Sequence, residues 1–280
     1  MEVRPKARIL DVYGSFARGF GGWISISALV DLMGEFDVEP HSVRSAIARL
    51  KRRGLVEPDK RDGMAGYRLT DNATAILDDG DGRIFRNADN QPDRTWVVAL
   101  FSVPEPLRNQ RYVVRSRLAR LGFAQGPAGS WFAPASVVPE TKRMLEREEL
   151  SEFVSLWAGD YLGDGDIRSI VAEAWDLDEI CQRYEEFIEL ASKVHAAADD
   201  HVNDPRRAFI DYLDVIAAWR PLPYLDPGLP AEVTPAGWPA DEARALFADL
   251  HRRLRPPGMH YYVSVALAPM LMPEPAALRA

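Results

Sequence analysis

The chain has 280 residues and little of what disulfide-stabilised or membrane proteins need. Its one cysteine, Cys181, excludes a disulfide scaffold and a cysteine-rich zinc site, and it fits a reducing cytosol. The longest apolar stretches, such as Trp96–Phe101, are only as long as a strand, so we expect no membrane span. No apolar core of a signal peptide follows Met1–Lys6. We therefore expect a cytoplasmic protein.

Motifs that would indicate catalysis or a bound cofactor are also lacking. The five histidines include no pair with metal-ligand spacing, and His195, on an apolar helical stripe, is expected to be a core histidine. No Walker loop, nucleophile elbow or dinucleotide-binding glycine motif follows a predicted strand. Cys181 also lies on an apolar stripe, which predicts a buried structural thiol rather than a nucleophile. We therefore expect no enzyme activity, no metal site and no cofactor.

Charge is distributed unevenly along the chain. The formal charge of −8 argues against a protein that binds nucleic acid over its whole surface. Residues 1–70 hold 12 Lys and Arg against 9 Asp and Glu, whereas residues 71–280 hold 22 against 33. Within the basic part, Pro40–Gly54 has five cations and no carboxylate. A basic head on an acidic body indicates an anionic partner at the amino-terminal end.

Residues 1–78 have the element order of a winged helix-turn-helix domain. Apolar residues at helical spacing predict two helices, and Pro40 and Gly54 mark the first turn and the end of a third. Two short strands follow, joined by a glycine-containing loop that holds Lys60 and Arg61. The predicted elements are helices over Ala7–Tyr13, Ala28–Phe36 with Ser27 as N-cap, and Pro40–Gly54, and strands over Leu55–Glu57 and Tyr67–Thr70.

The third helix is the predicted reading element for DNA, because it turns an apolar stripe inward and cations outward. The N-terminal half of such a helix reaches base edges in the major groove, so Ser42, Arg44 and Ser45 are predicted to read bases. The later cations of the helix and those of the loop are predicted to hold phosphates; they are Arg49, Arg52, Arg53, Lys60 and Arg61. A solvated basic face, or a basic helix that binds an acidic protein, is the alternative.

Two polar segments rich in glycine and aspartate, residues 78–83 and 87–93, are expected to be linkers. They lack the glutamate that an EF-hand calcium loop needs at its twelfth position. The region that follows, residues 90–165, has the strand and helix order βαββαβ, which predicts a ferredoxin-like domain. Its first strand is predicted over Trp96–Val103, and Leu107 is expected on the inner face of the next helix.

Residues 166–280 predict a helical domain. An apolar 3-4-3 pattern runs from Leu177 to His195, and further helices are predicted over Arg207–Trp219 and Pro239–Leu254. As large apolar residues on helices and strands, five tryptophans are expected in the core rather than in an aromatic pocket. They are Trp96, Trp131, Trp157, Trp175 and Trp219. The sequence thus predicts an α+β protein in three parts.

Short motifs occur in a collinear order along these three parts. They are Gly21–Ile24, Val43–Leu50 with Arg52–Gly54, Phe101–Glu105, Leu121–Phe123, Ser130–Pro134, Ala174–Leu177, Asp226–Pro230 and Gly237–Pro239. In this order the chain resembles the PaaX-type transcriptional regulators, the repressors of phenylacetate catabolism, over most of its length. The resemblance implies a winged-helix reading domain, a Cas2-like middle domain and a helical C-terminal domain. It also implies a homodimer that binds operator DNA and is released by an aryl-acyl-CoA such as phenylacetyl-CoA.

The Cas2-like fold raises an alternative, a metal-dependent nuclease. Such an enzyme needs a carboxylate at the end of its first strand to hold a hard cation, whereas this chain has Ser102 there. We therefore expect the fold to serve as a platform for dimerisation or for a ligand. Arg108, Arg111 and Arg115, at helical spacing, are the candidates for the phosphates of an acyl-CoA effector, with Trp131 beside them, unless they form a solvated stripe.

Overall fold

The computed structural model describes residues 4–85, 95–126, 129–201 and 203–267. The predicted linker over residues 87–93 lies outside these ranges. The chain divides into two compact units. The first unit contains the described parts of residues 1–81, 190–218 and 246–280, and the second contains those of residues 82–189 and 219–245. No helix in the described ranges is long and apolar enough to cross a membrane.

The N-terminal part of the first unit consists of three helices and a three-stranded sheet. In chain order its elements are α1 (Pro5–Ser15), β1 (Trp23–Ser25), α2 (Ile26–Gly34), α3 (Pro40–Arg52), β2 (Val56–Arg61) and β3 (Met64–Leu69). The strands pair in the antiparallel order β1-β3-β2. Ile9, Leu29, Leu32, Val43 and Leu50, the apolar stripes of the three helices, are fully buried. The predicted order of helices and hairpin is therefore the one observed.

Two local predictions in this part were wrong. The N-cap of α2 is Ser25 and not Ser27, because the Ser25 hydroxyl accepts a hydrogen bond from the Ala28 N–H at 3.1 Å. The loop of the hairpin is shorter than predicted, since Lys60 and Arg61 both belong to β2. The chain reverses at Asp62–Gly63, where both residues have positive φ. An Asp-Gly pair with two positive φ angles makes the tight turn that matches the twist of a hairpin.

The predicted linker over residues 78–83 is wrong as well, because these residues belong to the helix α4 (Asp71–Ile84). The Thr70 hydroxyl caps its first turn by accepting from the Ala73 N–H at 3.1 Å. Arg18 holds the second half, with its Nη1 2.6 Å from Asp78 Oδ1 and its Nη2 paired with Asp81. These tertiary ion pairs compensate for the low helix propensity of the two glycines in the segment.

The middle part of the chain, in the second unit, has the βαββαβ order that the sequence predicts. Its elements are β4 (Trp96–Phe101), α5 (Asn109–Arg120), β5 (Ala124–Gln125), β6 (Trp131–Pro134), α6 (Val138–Arg147) and β7 (Val154–Gly159). The antiparallel sheet has the order β5-β6-β4-β7. Val97, Ala99 and Ala133 pack from one face of the sheet against Val114 and Leu118 of α5. Leu107, expected on the inner face of α5, precedes the helix and is exposed.

The C-terminal helices contribute to both units. They are α7 (Ile167–Ala174), α8 (Leu177–His201), α9 (Pro205–Trp219), α10 (Leu222–Leu225) and α11 (Ala240–Ala266). The helix α11 continues past Leu254, where we predicted its end, and includes Pro256 and Pro257. Tight packing explains this, because a Cβ on Gly258 would lie 3.1 Å from the Phe209 Cα of α9. Close contact between the two helices therefore offsets the cost of the prolines.

Three predictions of burial were also wrong. His195 is exposed, and its Nε2 lies 3.3 Å from Asp249 Oδ2. Cys181 is partly exposed, and desolvation together with Glu185 raises the pKa of its thiol, which disfavours a thiolate nucleophile. Trp157 is 66% exposed, whereas the other four tryptophans considered above are buried. All three misplaced residues lie near the border of an apolar stripe or on an edge strand, where sequence periodicity separates the two faces poorly.

Candidate nucleic-acid interface

The outer face of α3 carries the predicted reading residues. Arg44, Ser45, Arg49, Arg52 and Arg53 are exposed, and Ser42 is half-buried. The inward stripe of the same helix is buried, so these side chains cannot turn into the core. Pro40 begins the helix, where its missing N–H costs nothing, and Gly54 follows the end with a φ of 67°. The local sequence thus fixes both ends of a helix that displays cations.

In the described part of the chain these cations are not neutralised by a neighbouring carboxylate. Among the residues that the structure describes, no carboxylate forms an ion pair with Arg44, Arg49, Arg52 or Arg53. Lys51, absent from the predicted set, is likewise exposed on α3. Cations in the last turn of a helix interact favourably with the helix dipole. This interaction explains the cations in the last turn of α3 without any role in DNA binding. The dipole does not account for Arg44, because Arg44 lies in the first half of α3.

The hairpin cations separate onto two faces. Lys60 is exposed and lines a groove of about 320 Å³ with Ile26, Pro58 and Tyr67. Arg61, in contrast, has its Nε 3.1 Å from Asp59 Oδ2, and its guanidinium carbon lies 5.5 Å from the centre of the Trp23 ring. Because successive residues of a strand point to opposite faces, Arg61 is engaged, whereas Lys60 has no ion-pair partner among the residues that the structure describes.

The predicted effector residues have different environments. Arg108 and Arg115 are exposed beside and on α5, and Arg108 lines a shallow depression with Glu105 and Asn109. Arg111 is exposed but engaged, since its Nη2 donates to the Val103 carbonyl at 2.9 Å and lies 3.2 Å from Glu105 Oε2. Trp131 is buried in the core beneath α5. The structure therefore does not bring Trp131 together with the three arginines on a common surface.

The end of β4, where a Cas2-type nuclease would hold its metal, carries Ser102. This residue is exposed, and its N–H donates to the Phe153 carbonyl at 3.0 Å. Within the described ranges no three histidine, cysteine or carboxylate side chains lie close enough together to hold a metal ion. Ser102 thus stands where we expect a Cas2-type nuclease to carry a carboxylate.

Comparison with known protein families matches nearly the whole chain in three consecutive segments. Residues 4–73 match the PaaX-like protein model, residues 89–171 match the PaaX protein central Cas2-like domain, and residues 175–264 match the PaaX-like protein C-terminal domain. The chain belongs to the PaaX family. The resemblance seen in its motifs is therefore confirmed, and the middle domain is Cas2-like.

Two individual proteins extend this comparison of the PaaX-family chain. The transcriptional repressor PaaX of Escherichia coli (strain K12) is 25% identical over 267 residues, covering 92% of this chain and 83% of the relative. Among solved structures, the uncharacterized protein Rv0674 from Mycobacterium tuberculosis is 20% identical, with a TM-score of 0.55. It covers 93% of this chain and 99% of its own. At that identity, the likeness concerns the fold alone.

Proposed function

We propose that this PaaX-family chain is a ligand-responsive transcriptional repressor of an aromatic-acid catabolic operon, of the phenylacetate type. In this proposal residues 1–78 form a winged helix-turn-helix that binds operator DNA, residues 90–165 form the Cas2-like platform and residues 166–280 form the helical domain. The observation that carries it is the exposed face of α3, whose cations have no carboxylate partner among the described residues. The repressor name of the E. coli relative supports the same role.

The geometry of the DNA grooves suggests which residues of the N-terminal domain contact bases and which contact phosphates. Arg44, in the first half of α3, is assigned a bidentate contact with guanine, and Ser42 and Ser45 are assigned to base edges beside it. Arg49, Arg52 and Arg53 lie later on the helix and are assigned to phosphates. Lys60 is assigned to the backbone beside the hairpin. Arg61 is assigned a weaker contact with the DNA backbone, because its guanidinium already contacts Asp59 and Trp23.

A gel-shift experiment with a duplex from the region upstream of the chain's own gene tests this proposal. A specific, salt-sensitive complex that forms without Mg²⁺ and dissociates on adding phenylacetyl-CoA or another aryl-acyl-CoA is the expected result. Mg²⁺-dependent cleavage of the duplex would instead support the nuclease alternative. If the protein neither binds nor cleaves the duplex, the result would favour an adaptor whose α3 binds an acidic protein. The repressor function implies a cytoplasmic location.

The effector is proposed to bind the second unit near Arg108 and Arg115, with their cations supporting the CoA phosphates. Both side chains are exposed and have no ion-pair partner in the described part of the chain. Calorimetric titration of phenylacetyl-CoA into the full chain is expected to show weaker binding for the double variant Arg108→Met, Arg115→Met. The matched control is Arg120→Met, which removes an exposed cation from the last turn of the same helix. Equal losses in both variants would contradict this site.

A homodimer formed through residues 90–280 is the third element of the proposal, because two-fold operators need two DNA-binding domains about one or more helical turns apart, at roughly 34–36 Å per turn. The Cas2-like sheet supports it. Leu100 and Trp157 are exposed on one of its faces, since Trp157 pairs with Val98 two residues before Leu100. Sedimentation of the full chain is expected to give a dimer, and a monomer at micromolar concentration would contradict it.

A further inference from the structure

The turn between α2 and α3 sets the direction of α3, the helix that is proposed to bind DNA. It comprises residues 35–39, and its backbone folds back on α2, with the Val38 N–H donating to the Met33 carbonyl at 3.2 Å. Asp37 has a φ of 57°, a left-handed conformation that aspartate tolerates better than most residues. Because α3 begins at Pro40, directly after the turn, whatever fixes the turn also fixes the direction of α3.

One carboxylate of this turn is held by helices that are far away in sequence. Glu35, at the end of α2, has a side chain that is 12% exposed. Its Oε2 lies 2.6 Å from Arg206 Nε in the first turn of α9, and its Oε1 accepts from the hydroxyl of Tyr261 in α11. The nearby Glu35 charge raises the pKa of the Arg206 guanidinium, while burial first and the bond to Glu35 second raise the pKa of Tyr261 to about 12.

The next residue of the turn is anchored by the same helix. The ring centres of Phe36 and Phe209 of α9 are 6.1 Å apart. The Arg8 guanidinium carbon lies 4.3 Å from the centre of the Phe36 ring, and Arg8 Nη2 is 2.5 Å from Asp214 Oδ1, also on α9. Two consecutive residues of the turn are therefore tied to α9, one by charge and one by aromatic packing.

We infer that Glu35 is a positioning residue for DNA binding, which ties the turn before the reading helix to α9 and α11 through Arg206 and Tyr261. This inference rests on the proposed function of α3. Glu35 touches no DNA in this scheme and acts through the direction of α3. The helices α9 and α11 thereby help to set the direction of α3, and Glu35 is one of the contacts through which a change in their packing would affect DNA binding.

The sign of the effect of Glu35→Gln distinguishes positioning from simple electrostatics. Removal of a negative charge near DNA strengthens binding when only charge matters. Loss of the tie to α9 weakens binding, by roughly tenfold for residues that are coupled through direct contact. Glu39→Gln is the matched control, because Glu39 is exposed in the same turn and its side chain does not cap α3. We expect weaker binding for the first variant and equal or stronger binding for the second.

A second test changes Arg206, the ion-pair partner of Glu35. Arg206→Gln should weaken binding more than Arg252→Gln, which removes an equally charged, exposed residue that pairs with Asp249 on its own helix. The double variant Glu35→Gln, Arg206→Gln should lose less than the two single losses combined, as expected for residues that act together. Affinity is measured on the upstream duplex, and melting temperatures identify any variant that fails to fold. Stronger binding by Glu35→Gln, or additive losses, would overturn the inference.

Amide hydrogen exchange of residues 34–39 tests the role of Glu35 without DNA. Faster exchange there in Glu35→Gln and Arg206→Gln, with unchanged exchange in Glu39→Gln and Arg252→Gln, is the expected result. If wild-type protein binds no DNA, the proposed function fails, but the exchange data still decide whether Glu35 holds the turn. Unchanged exchange in all four variants would refute the positioning role even if wild-type protein binds its operator.

Discussion

Lys60 and Arg61 are adjacent in β2, yet Arg61 lies over the Trp23 ring and pairs with Asp59, whereas Lys60 is exposed and has no ion-pair partner within the described ranges. We expect Lys60→Ala to weaken binding to all DNA sequences alike and to reduce the slope of log K against log salt by about one. Arg61→Ala should change this slope less and should lower the melting temperature more, because it removes packing on Trp23. Equal slopes for the two variants would contradict the assignment of faces.

Arg44 lies in the first half of α3 and Arg53 is the residue that caps its C-terminal end, which predicts different effects on DNA binding. Arg44→Ala should lower operator affinity by about 1–3 kcal/mol and relax the preference at one base pair, as loss of a bidentate contact does. Arg53→Ala should weaken specific and random duplexes equally and flatten the salt dependence. Both affinities are measured on the upstream duplex, on single-base variants of it and on random DNA. If Arg44→Ala loses as much affinity for random DNA as for the operator, Arg44 contacts phosphate and does not read a base.

The element order of the chain could be predicted from its sequence because periodicity, caps and turn residues are local signals. The stripe of Val43 and Leu50 predicts both the inner face of α3 and the outward direction of Arg44. The same reasoning had the information to place Lys60 in a strand, since Asp62–Gly63 is a hairpin signal two residues later. It could not predict the tie of Glu35 to Arg206, because no local pattern connects residues so distant in sequence.

Misplaced residues show the same limit from another side. His195 follows an apolar stripe but lies where α8 turns its edge to solvent, and it pairs with Asp249 of α11. Residues 78–83 are polar enough for a linker, but Arg18 supplies the ion pairs that hold them in α4. In both cases a partner more than 50 residues away determines the outcome. Local composition carries no information about such a partner.

A buried ion pair in the second unit should contribute strongly to its stability. Arg83, with 2% of its side chain exposed, has its Nε 2.8 Å from Glu140 Oε2 and donates from Nη2 to the Leu121 carbonyl at 3.0 Å. Arg83→Met leaves Glu140 buried without its cation, which should lower the free energy of unfolding by about 3–5 kcal/mol. The double variant Arg83→Met, Glu140→Met should recover part of this loss, because it leaves no unpaired charge.

The control for this pair is Arg117 with Glu148, an ion pair of 2.6 Å whose arginine is one-third exposed. Arg117→Met should lower the free energy of unfolding by no more than about 1 kcal/mol. Urea denaturation followed by tryptophan fluorescence measures all variants. Similar losses for Arg83→Met and Arg117→Met would show that burial does not determine the strength of the two pairs.

His251 should make the first unit less stable in mild acid. Its Nδ1 lies 3.0 Å from the Tyr212 hydroxyl, and burial first and Arg255 second lower the pKa of the imidazole from 6.5 to about 4. The folded chain therefore binds a proton at this site less readily than the unfolded chain, so the stabilisation is complete above pH 6.5 and is lost as the pH decreases toward 4.

The variant His251→Gln tests this, because it keeps a hydrogen-bonding group beside Tyr212 and does not titrate. Between pH 7.5 and pH 4.5, wild-type protein should lose about 1–2 kcal/mol more unfolding free energy than this variant, an amount reduced by partial exposure of the ring. Urea titrations at both pH values measure the difference, in which groups common to both proteins cancel. Parallel losses in the two proteins would mean that His251 titrates normally in the fold, and a larger loss in the variant would reverse the sign argued here.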